Sequence, residues 1–234
     1  MIRALVTGGA SPLGAAICRR LSADGLSVTV HAHANAAGAH ALATEIGGAA
    51  TLFDLADPDA TAAAMATLLA EGPLQVIVHN AGVHDDVVMA GMSAAQWRKP
   101  LCVGLDGFFG VVQPALLPML ATRWGRIVAV SSVTALLGNR GQVAYGAAKA
   151  GLIGAVKSLS REVASRGVTV NAVAPGVIAS PAVDAAMDKA RIDGIVPMKR
   201  AGRPEEVADL VGFLVSRQSG YISGQTIAID GGMT

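Results

Sequence analysis

Two cysteines, two tryptophans and two tyrosines are all that the 234 residues contain of those types, and aromatic side chains make up only 3% of the chain. Cys18 and Cys102 fall in segments of helical period and form neither a Cys-x-x-Cys pair nor a Cys/His cluster. A disulfide framework and a structural zinc site are therefore both unsupported, and the two residues read as buried free thiols. Charge is scarce as well: charged residues are 15% of the chain, eighteen basic against seventeen acidic, for a formal net charge of +1. With no basic stripe to follow a phosphate backbone, nucleic acid is not an expected partner. The mean hydropathy of +0.50 comes from alanine and short valine-rich runs. No run is expected to approach the roughly 20 apolar residues of a membrane-spanning helix, so no membrane association is expected. The opening Met1-Ile2-Arg3-Ala4-Leu5-Val6 reaches Thr7-Gly8-Gly9 at once. That leaves no room for a charged n-region, an apolar h-region and a cleavage site, so a cytoplasmic location is expected.

The residues that are abundant point to one architecture. Short β-branched runs at Ile2 to Thr7, Val28 to His31, Thr51 to Phe53, Val76 to Val78, Ile127 to Val130, Thr169 to Val173 and Thr226 to Ile229 read as strands. Between them lie alanine-rich segments of helical period at Gly14 to Asp24, Ala36 to Ile46, Asp57 to Ala70, Ser93 to Leu120, Gln142 to Ser165 and Pro204 to Ser216. Strands that alternate with helices and read as continuous apolar runs belong to a parallel sheet covered on both faces. The expectation is an α/β chain: a single-domain, doubly wound Rossmann fold with a seven-stranded parallel sheet over residues 1–234. The pattern is weak only between Ile178 and Pro197, a short amphipathic stretch of the kind that covers sites in α/β enzymes.

Three candidate elements fall at the carboxyl ends of strands, where open α/β sheets bind ligands. The first strand runs into Thr7-Gly8-Gly9-Ala10-Ser11-Pro12-Leu13-Gly14 and then a helix, a context that brings backbone N–H groups and a helix N-terminus toward a pyrophosphate. Glycines at such a turn also serve tight packing alone. The fourth strand is followed by His79-Asn80-Ala81-Gly82, whose small residues allow close backbone approach, and the fifth by Ser131-Ser132. In Tyr145-Gly146-Ala147-Ala148-Lys149 a spacing of four puts a phenol and an ammonium on one helix face. The cation is expected to lower the phenol pKa from near ~10 and make it a tuned general acid, although a surface tyrosine beside a lysine has the same spacing. His31 and His33 supply two ligands at most on one strand, so no metal is expected.

Taken together, the Thr7 to Gly14 loop, Asp54, Asn80-Ala81-Gly82, Ser132, Tyr145 with Lys149, and Asn171-Ala172-Val173-Ala174-Pro175-Gly176 resemble the short-chain dehydrogenase/reductase family over nearly the whole chain. Within it the chain is most similar to the 3-oxoacyl-[acyl-carrier-protein] reductases. The C-terminal Gly202-Arg203-Pro204-Glu205-Glu206-Val207-Ala208, Tyr221-Ile222-Ser223-Gly224-Gln225 and Asp230-Gly231-Gly232-Met233 are similar to that branch, in which this end helps build a homo-tetramer. The resemblance implies that Tyr145 donates a proton to the substrate carbonyl oxygen and that Ser132 hydrogen-bonds it. Lys149 would hold the nicotinamide ribose and lower the tyrosine pKa. It implies cofactor contacts from Gly8, Ser11, Pro12, Leu13 and Gly14, from Asp54 at the adenine, from Asn80, Ala81 and Gly82, and from Pro175, Gly176, Ile178 and Ser180 around the carboxamide. No acidic residue closes the second strand, which reads Val30-His31-Ala32-His33-Ala34-Asn35. NADPH is therefore the expected cofactor, with His33 and Asn35 candidates for its 2′-phosphate, and NADH the alternative. Arg123 and Arg166 match the pair that docks the acidic acyl carrier protein at the site mouth, although arginines also commonly end helices.

Two positions depart from the family pattern. The middle glycine of the loop is Pro12, which has no N–H but suits the first position of a helix. The asparagine that holds a relay water falls at Gly104, downstream of a Pro100 expected to bend or delay the helix. Ketoreductases of specialised lipid pathways, such as aryl polyene synthesis, are similar in tolerating change there. The expected function is NADPH-dependent reduction of a 3-oxoacyl thioester on acyl carrier protein to the 3-hydroxyacyl form, in fatty-acid or aryl polyene synthesis. A dehydrogenase of a free small alcohol, sugar or steroid is the second reading, and a non-catalytic dinucleotide-binding regulator the third.

Overall fold

The seven apolar runs become β1 (Arg3–Thr7), β2 (Ser27–Ala32), β3 (Ala49–Leu52), β4 (Val76–His79), β5 (Gly125–Val130), β6 (Val168–Pro175) and β7 (Thr226–Ile229) in the computed structural model, which describes all 234 residues. They form one sheet in the order β3-β2-β1-β4-β5-β6-β7. Every pairing is parallel, with Leu5 of β1 in register with Thr29 on one side and Ile77 on the other. This is the expected α/β, Rossmann-like sheet. Because the chain winds outward from β1 to β3 and then returns to start β4 beside β1, the crevice for a ligand opens at the carboxyl ends of β1 and β4.

The helices are α1 (Pro12–Ala23), α2 (Ala36–Ile46), α3 (Pro58–Ala70), α4 (Ala94–Leu101), α5 (Gly107–Ala121), α6 (Thr134–Leu137), α7 (Val143–Val163), α8 (Pro181–Ala186), α9 (Lys189–Ile195) and α10 (Pro204–Val215). Alternate strand residues serve opposite faces, as the pleat requires. Ala4, Val6, Val76, Val78, Val128 and Val130 pack with α1, α2 and α10. Leu5, Ile77, Ile127, Ala129, Val170 and Ala172 pack with α3, α5 and α7. Both faces are dry, which is why the strands read as unbroken apolar runs.

Several local features differ from the sequence-based expectation. Helix α1 starts at Pro12, two residues early, because Ser11 caps it by accepting from the Gly14 N–H at 3.1 Å. The predicted helix from Ser93 to Leu120 is interrupted by a π-helical turn, Cys102–Asp106, just after Pro100. A proline removes one intrahelical donor, and the wider turn accommodates the mismatch without ending the helix. By length and composition the continuous stretch Ala94–Ala121 could cross a bilayer, correcting the expectation that no run approaches that size. It is a core helix: α5 buries Phe108, Val111, Val112, Ala115 and Met119 beneath the sheet. Cys18 is buried, and burial pushes its thiol up to about 12. Cys102 is only half-buried, against expectation, because it sits at the start of the π turn.

Ile77 lies at the centre of the middle strand and is 0% exposed. Truncation to alanine removes most of its side chain from a site unable to collapse and should cost about 2–5 kcal/mol. Urea unfolding should show this as a lower midpoint, and an unchanged midpoint would contradict the placement.

Candidate active site at the carboxyl edge of the sheet

The site is organised by Thr7, the last residue of β1, which is fully buried. Its hydroxyl accepts from the Asn80 and Ala81 N–H groups, both at 3.1 Å. Having accepted twice, it donates to His79 Nδ1 at 3.2 Å. Asn80 completes the joint, its Nδ2 donating to the Thr7 and Gly8 carbonyls at 3.0 Å each. The glycine loop and the segment after β4 are thus locked as one surface. Gly8 turns the chain at φ +62°, and at Gly14 a Cβ would stand 2.2 Å from the Gly8 carbonyl oxygen, so only glycine lets α1 close onto the loop.

A cavity of about 200 Å³ beside this joint is lined by Gly8, Ser11, His33, Asp54, Asn80, Ala81 and Gly82, together with His31, Leu55, Val83 and Val103. Seven of the expected cofactor residues therefore share one wall. Asp54 holds the Ala56 N–H at 2.9 Å and lies 3.7 Å from His33 Nε2. Asn35 caps α2 by accepting from the Gly38 N–H through Oδ1, which leaves its Nδ2 donor for a ligand. His31 is buried; it accepts from the Gly8 N–H at 3.1 Å and donates through Nε2 to the Phe53 carbonyl at 3.0 Å. Burial lowers its pKa, and both ring nitrogens are committed to the fold.

The second cavity, about 520 Å³, contains Ser132, Tyr145 and Lys149, and its wall includes Leu13, Asn80, Gly82, Pro175, Gly176 and Ile178. Tyr145 and Ser132 lie together on its wall, near enough for the Ser132 hydroxyl to act on the phenol. Lys149 Nζ stands 5.7 Å from the Tyr145 ring centroid and donates to the Val130 carbonyl at 2.7 Å, while its own carbonyl accepts from Ser131 Oγ at 2.8 Å. A Cβ at Gly82 would come within 2.9 Å of Nζ, so this glycine makes room for the ammonium. Burial brings the Lys149 pKa down to about 8. The phenol corrects an expectation: its pKa is raised, because burial outweighs the opposing influence of the Ser132 hydroxyl and the Asp86 carboxylate adds to the rise. Lys149 is desolvated and bonded to the Val130 carbonyl, and it does not reverse that rise. Tyr145 therefore keeps its proton at neutral pH, as an acid must.

Other expected residues have local roles. Pro12 is the first residue of α1. Ser180 caps α8 by accepting from the Val183 N–H at 3.2 Å and does not line either cavity. Asn171 ties β6 to the C-terminal segment through the Ile222 carbonyl and the Gln225 N–H. Arg123 and Arg166 are brought together, since their turns meet where the Gly125 N–H reaches the Gly167 carbonyl at 3.4 Å. They precede β5 and β6, however, and so stand at the amino edge of the sheet. The six residues of β5 separate them from Ser132 by about 20 Å. Within one chain they are not at the mouth of the cavity that holds Ser132; the arginine that lines it is Arg191 of α9.

Sequence reasoning gave no role to two histidines, His79 and His84. His79 is fully buried, with Nε2 donating to the Gly104 carbonyl at 2.8 Å and Phe108 edge-on to its ring. It holds the π turn where the family asparagine would stand. A Cβ at Gly104 would meet only the Ala148 Cβ at 3.7 Å, an ordinary contact, so space does not require glycine there. His84 lies against Tyr145, and the adjacent run His84-Asp85-Asp86 after the fourth strand was the available signal.

With this geometry in place, comparison with known proteins is informative. The family model described as enoyl-(acyl carrier protein) reductase matches residues 8–234. The chain is 40% identical over 238 residues to nodulation protein G of Azospirillum brasilense, covering 98% of this chain and 97% of the relative. It is 39% identical over 236 residues to the 3-oxoacyl-[acyl-carrier-protein] reductase FabG of Aggregatibacter actinomycetemcomitans, covering 98% of each. It is 40% identical over 233 residues to the acetoacetyl-CoA reductase of Rhizobium meliloti, covering 98% and 97%.

His79 also predicts an acid response. Its pKa falls to about 3, mainly by burial and then by the Lys149 charge, against near ~6.5 in the unfolded chain. Between those values the unfolded state binds a proton that the native state refuses, so stability falls as pH drops below ~6.5. From pH 7 to 5 this one group should cost about 2 kcal/mol, with His31 acting in the same direction. In urea unfolding at the two pH values, His79→Asn should lose less stability than the parent by about that amount. Equal losses would show that His79 is not held neutral.

Proposed function

Since the chain belongs to the short-chain dehydrogenase/reductase family, whose members are NAD(P)-dependent oxidoreductases, we propose that it reduces the 3-keto group of a 3-oxoacyl thioester to a 3-hydroxyl. The observation that carries this reading is Tyr145, protonated and beside Ser132, at the wall of a cavity that adjoins the glycine-loop cavity through Asn80 and Gly82. The residues fit a dinucleotide: the glycine loop closes on α1 only because Gly14 lacks a Cβ, and the small residues 80–82 open the path to Lys149. Gly8, Leu13 and Gly14 would hold its phosphates, Asp54 its adenine side, and Lys149 its nicotinamide ribose. When bound, the nicotinamide supplies a hydride. Ser132 donates a hydrogen bond to the substrate carbonyl oxygen, and Tyr145 delivers its phenolic proton there as negative charge develops. The Lys149 ammonium would stand 5.7 Å from the ring of the phenolate left behind.

NADPH is the proposed cofactor, because no acidic side chain closes β2 against a 2′-phosphate and His33 stands beside that edge. Acyl carrier protein is the proposed bearer of the thioester, on the likeness to carrier-protein reductases. A coenzyme A thioester is the second reading, favoured by the equal likeness to an acetoacetyl-CoA reductase. Arg123 and Arg166 stand at the far edge of the sheet, so they serve a carrier only by presenting it to the site of a neighbouring subunit. That role fits the proposed homo-tetramer, for which Phe109 and Leu117 on α5 and the fully exposed Tyr221 offer apolar surface.

Oxidation of NADPH and NADH, followed with a 3-oxoacyl carrier protein and with the matching coenzyme A thioester, tests this reading. NADPH-dependent turnover with lower KM on the carrier is the expected result, and Tyr145→Phe should remove at least ~99% of it while cofactor still binds. Absence of turnover on both thioesters would move the chain to the free-alcohol or regulatory reading. Arg123→Glu should raise the KM for the carrier several-fold more than for the coenzyme A thioester. If Arg191→Glu has that effect and Arg123→Glu does not, the carrier docks at the mouth of the chain's own cavity.

A further inference from the structure

We propose that His84, oriented by Asp86, is a specificity-determining residue that accepts a hydrogen bond from an N–H group on the thiol arm of the substrate. This rests on the reading of the cavity as a 3-oxoacyl thioester site. His84 lines the same cavity as Ser132 and Tyr145, with its ring edge-on to Tyr145 at 6.0 Å between centroids and 76° between planes. Its Nδ1 stands 3.1 Å from Asp86 Oδ1. An ionised carboxylate only accepts, so the Nδ1 atom carries the proton, and in the neutral form of the ring it is Nε2 that offers a lone pair.

The anchor is itself built into the site. Asp86 Oδ2 accepts from Gln142 Nε2 at 2.8 Å, and Gln142 Oε1 accepts from Thr134 Oγ1 at 3.0 Å. The Thr134 N–H then donates to Ser132 Oγ at 3.1 Å. The backbone reinforces the joint where the Val87 N–H meets the Gly141 carbonyl at 2.9 Å. Asp85 is turned elsewhere, toward Gln96 of α4. A carboxamide and a backbone N–H in this chain cannot relay a proton, so the network fixes His84 relative to Ser132 without conducting protons.

The polarity of the cavity walls assigns the recognised group. His84, Asn139 and Gln142, with Leu137 beside them, come from the segments after β4 and β5, whereas Val183 of α8, Met187 just after it and Ile195 of α9 form the opposite wall, where Arg191 is the one charged residue. A 3-oxoacyl thioester has the same division, an apolar acyl chain on one side of the reacting carbonyl and an amide-bearing arm on the other. Six bonds separate that carbonyl carbon from the first amide nitrogen of a cysteamine arm, about 7 Å when extended, the scale of the separation between His84 and Tyr145.

The test compares the 3-oxobutyryl thioester of N-acetylcysteamine with its isostere in which a methylene replaces the amide N–H. Both keep the same thioester, so the ratio of their kcat/KM values reads the contact alone. The parent should favour the amide, and His84→Phe, which keeps a ring against Tyr145, should reduce that ratio about two- to tenfold. Asp86→Asn should reduce it in the same direction. His84→Gln, whose amide oxygen lies near the position of Nε2, should retain part of it. NADPH titration of each variant reports whether the fold and cofactor site are intact. An unchanged ratio in His84→Phe, with Tyr145-dependent turnover present, would overturn this inference alone; no turnover by the parent on either thioester would overturn the proposed function and this inference with it.

Discussion

The buried hydroxyl of Thr7 is the joint on which the site depends. Two parallel strands that meet at a switch point end in backbone groups with no strand partner, and buried groups of that kind must be satisfied. Thr7 accepts two N–H groups from the end of β4 and donates to His79, whose other nitrogen reaches the π turn at Gly104. One hydroxyl thereby connects β1, β4 and the long helical segment Ala94–Ala121. The glycine loop, the path for a ligand along residues 80–82 and the floor under Lys149 are all positioned through it.

The same burial that makes this joint rigid sets the chemistry above it. Desolvation raises the phenol of Tyr145, lowers the amine of Lys149 to about 8 and keeps His79 neutral. A phenol that keeps its proton and an amine close to losing one are suited to passing a proton toward a carbonyl oxygen near neutral pH. The Asp86 carboxylate, placed by Gln142, joins this electrostatic balance from beside His84.

Much of the fold was legible in the sequence because a two-sided parallel sheet requires apolar runs, and Leu5, Ile77 and Ile127 sit in such runs beside Val6, Val78 and Val128. The grouping of Ser132, Tyr145 and Lys149 was legible because Ser132 follows a strand and Tyr145 and Lys149 are one helical turn apart. The fate of the pKa values was not, since spacing gives proximity without burial, and burial decided the sign at Tyr145. Nor was the position of Arg123 and Arg166, whose side of the sheet follows from topology and not from local pattern. The π turn and the pairing of His79 with Gly104 depend on partners 25 residues apart, and no local periodicity encodes them.

The most direct test of the account follows the transferred atom. NADPH carrying deuterium at the transferred C4 position, incubated with the protein and a 3-oxobutyryl thioester, should give a 3-hydroxybutyryl product with one deuterium at C3, detected by mass spectrometry. Bound NADPH with no labelled hydroxyacyl product would contradict the assignment of this cavity to carbonyl reduction.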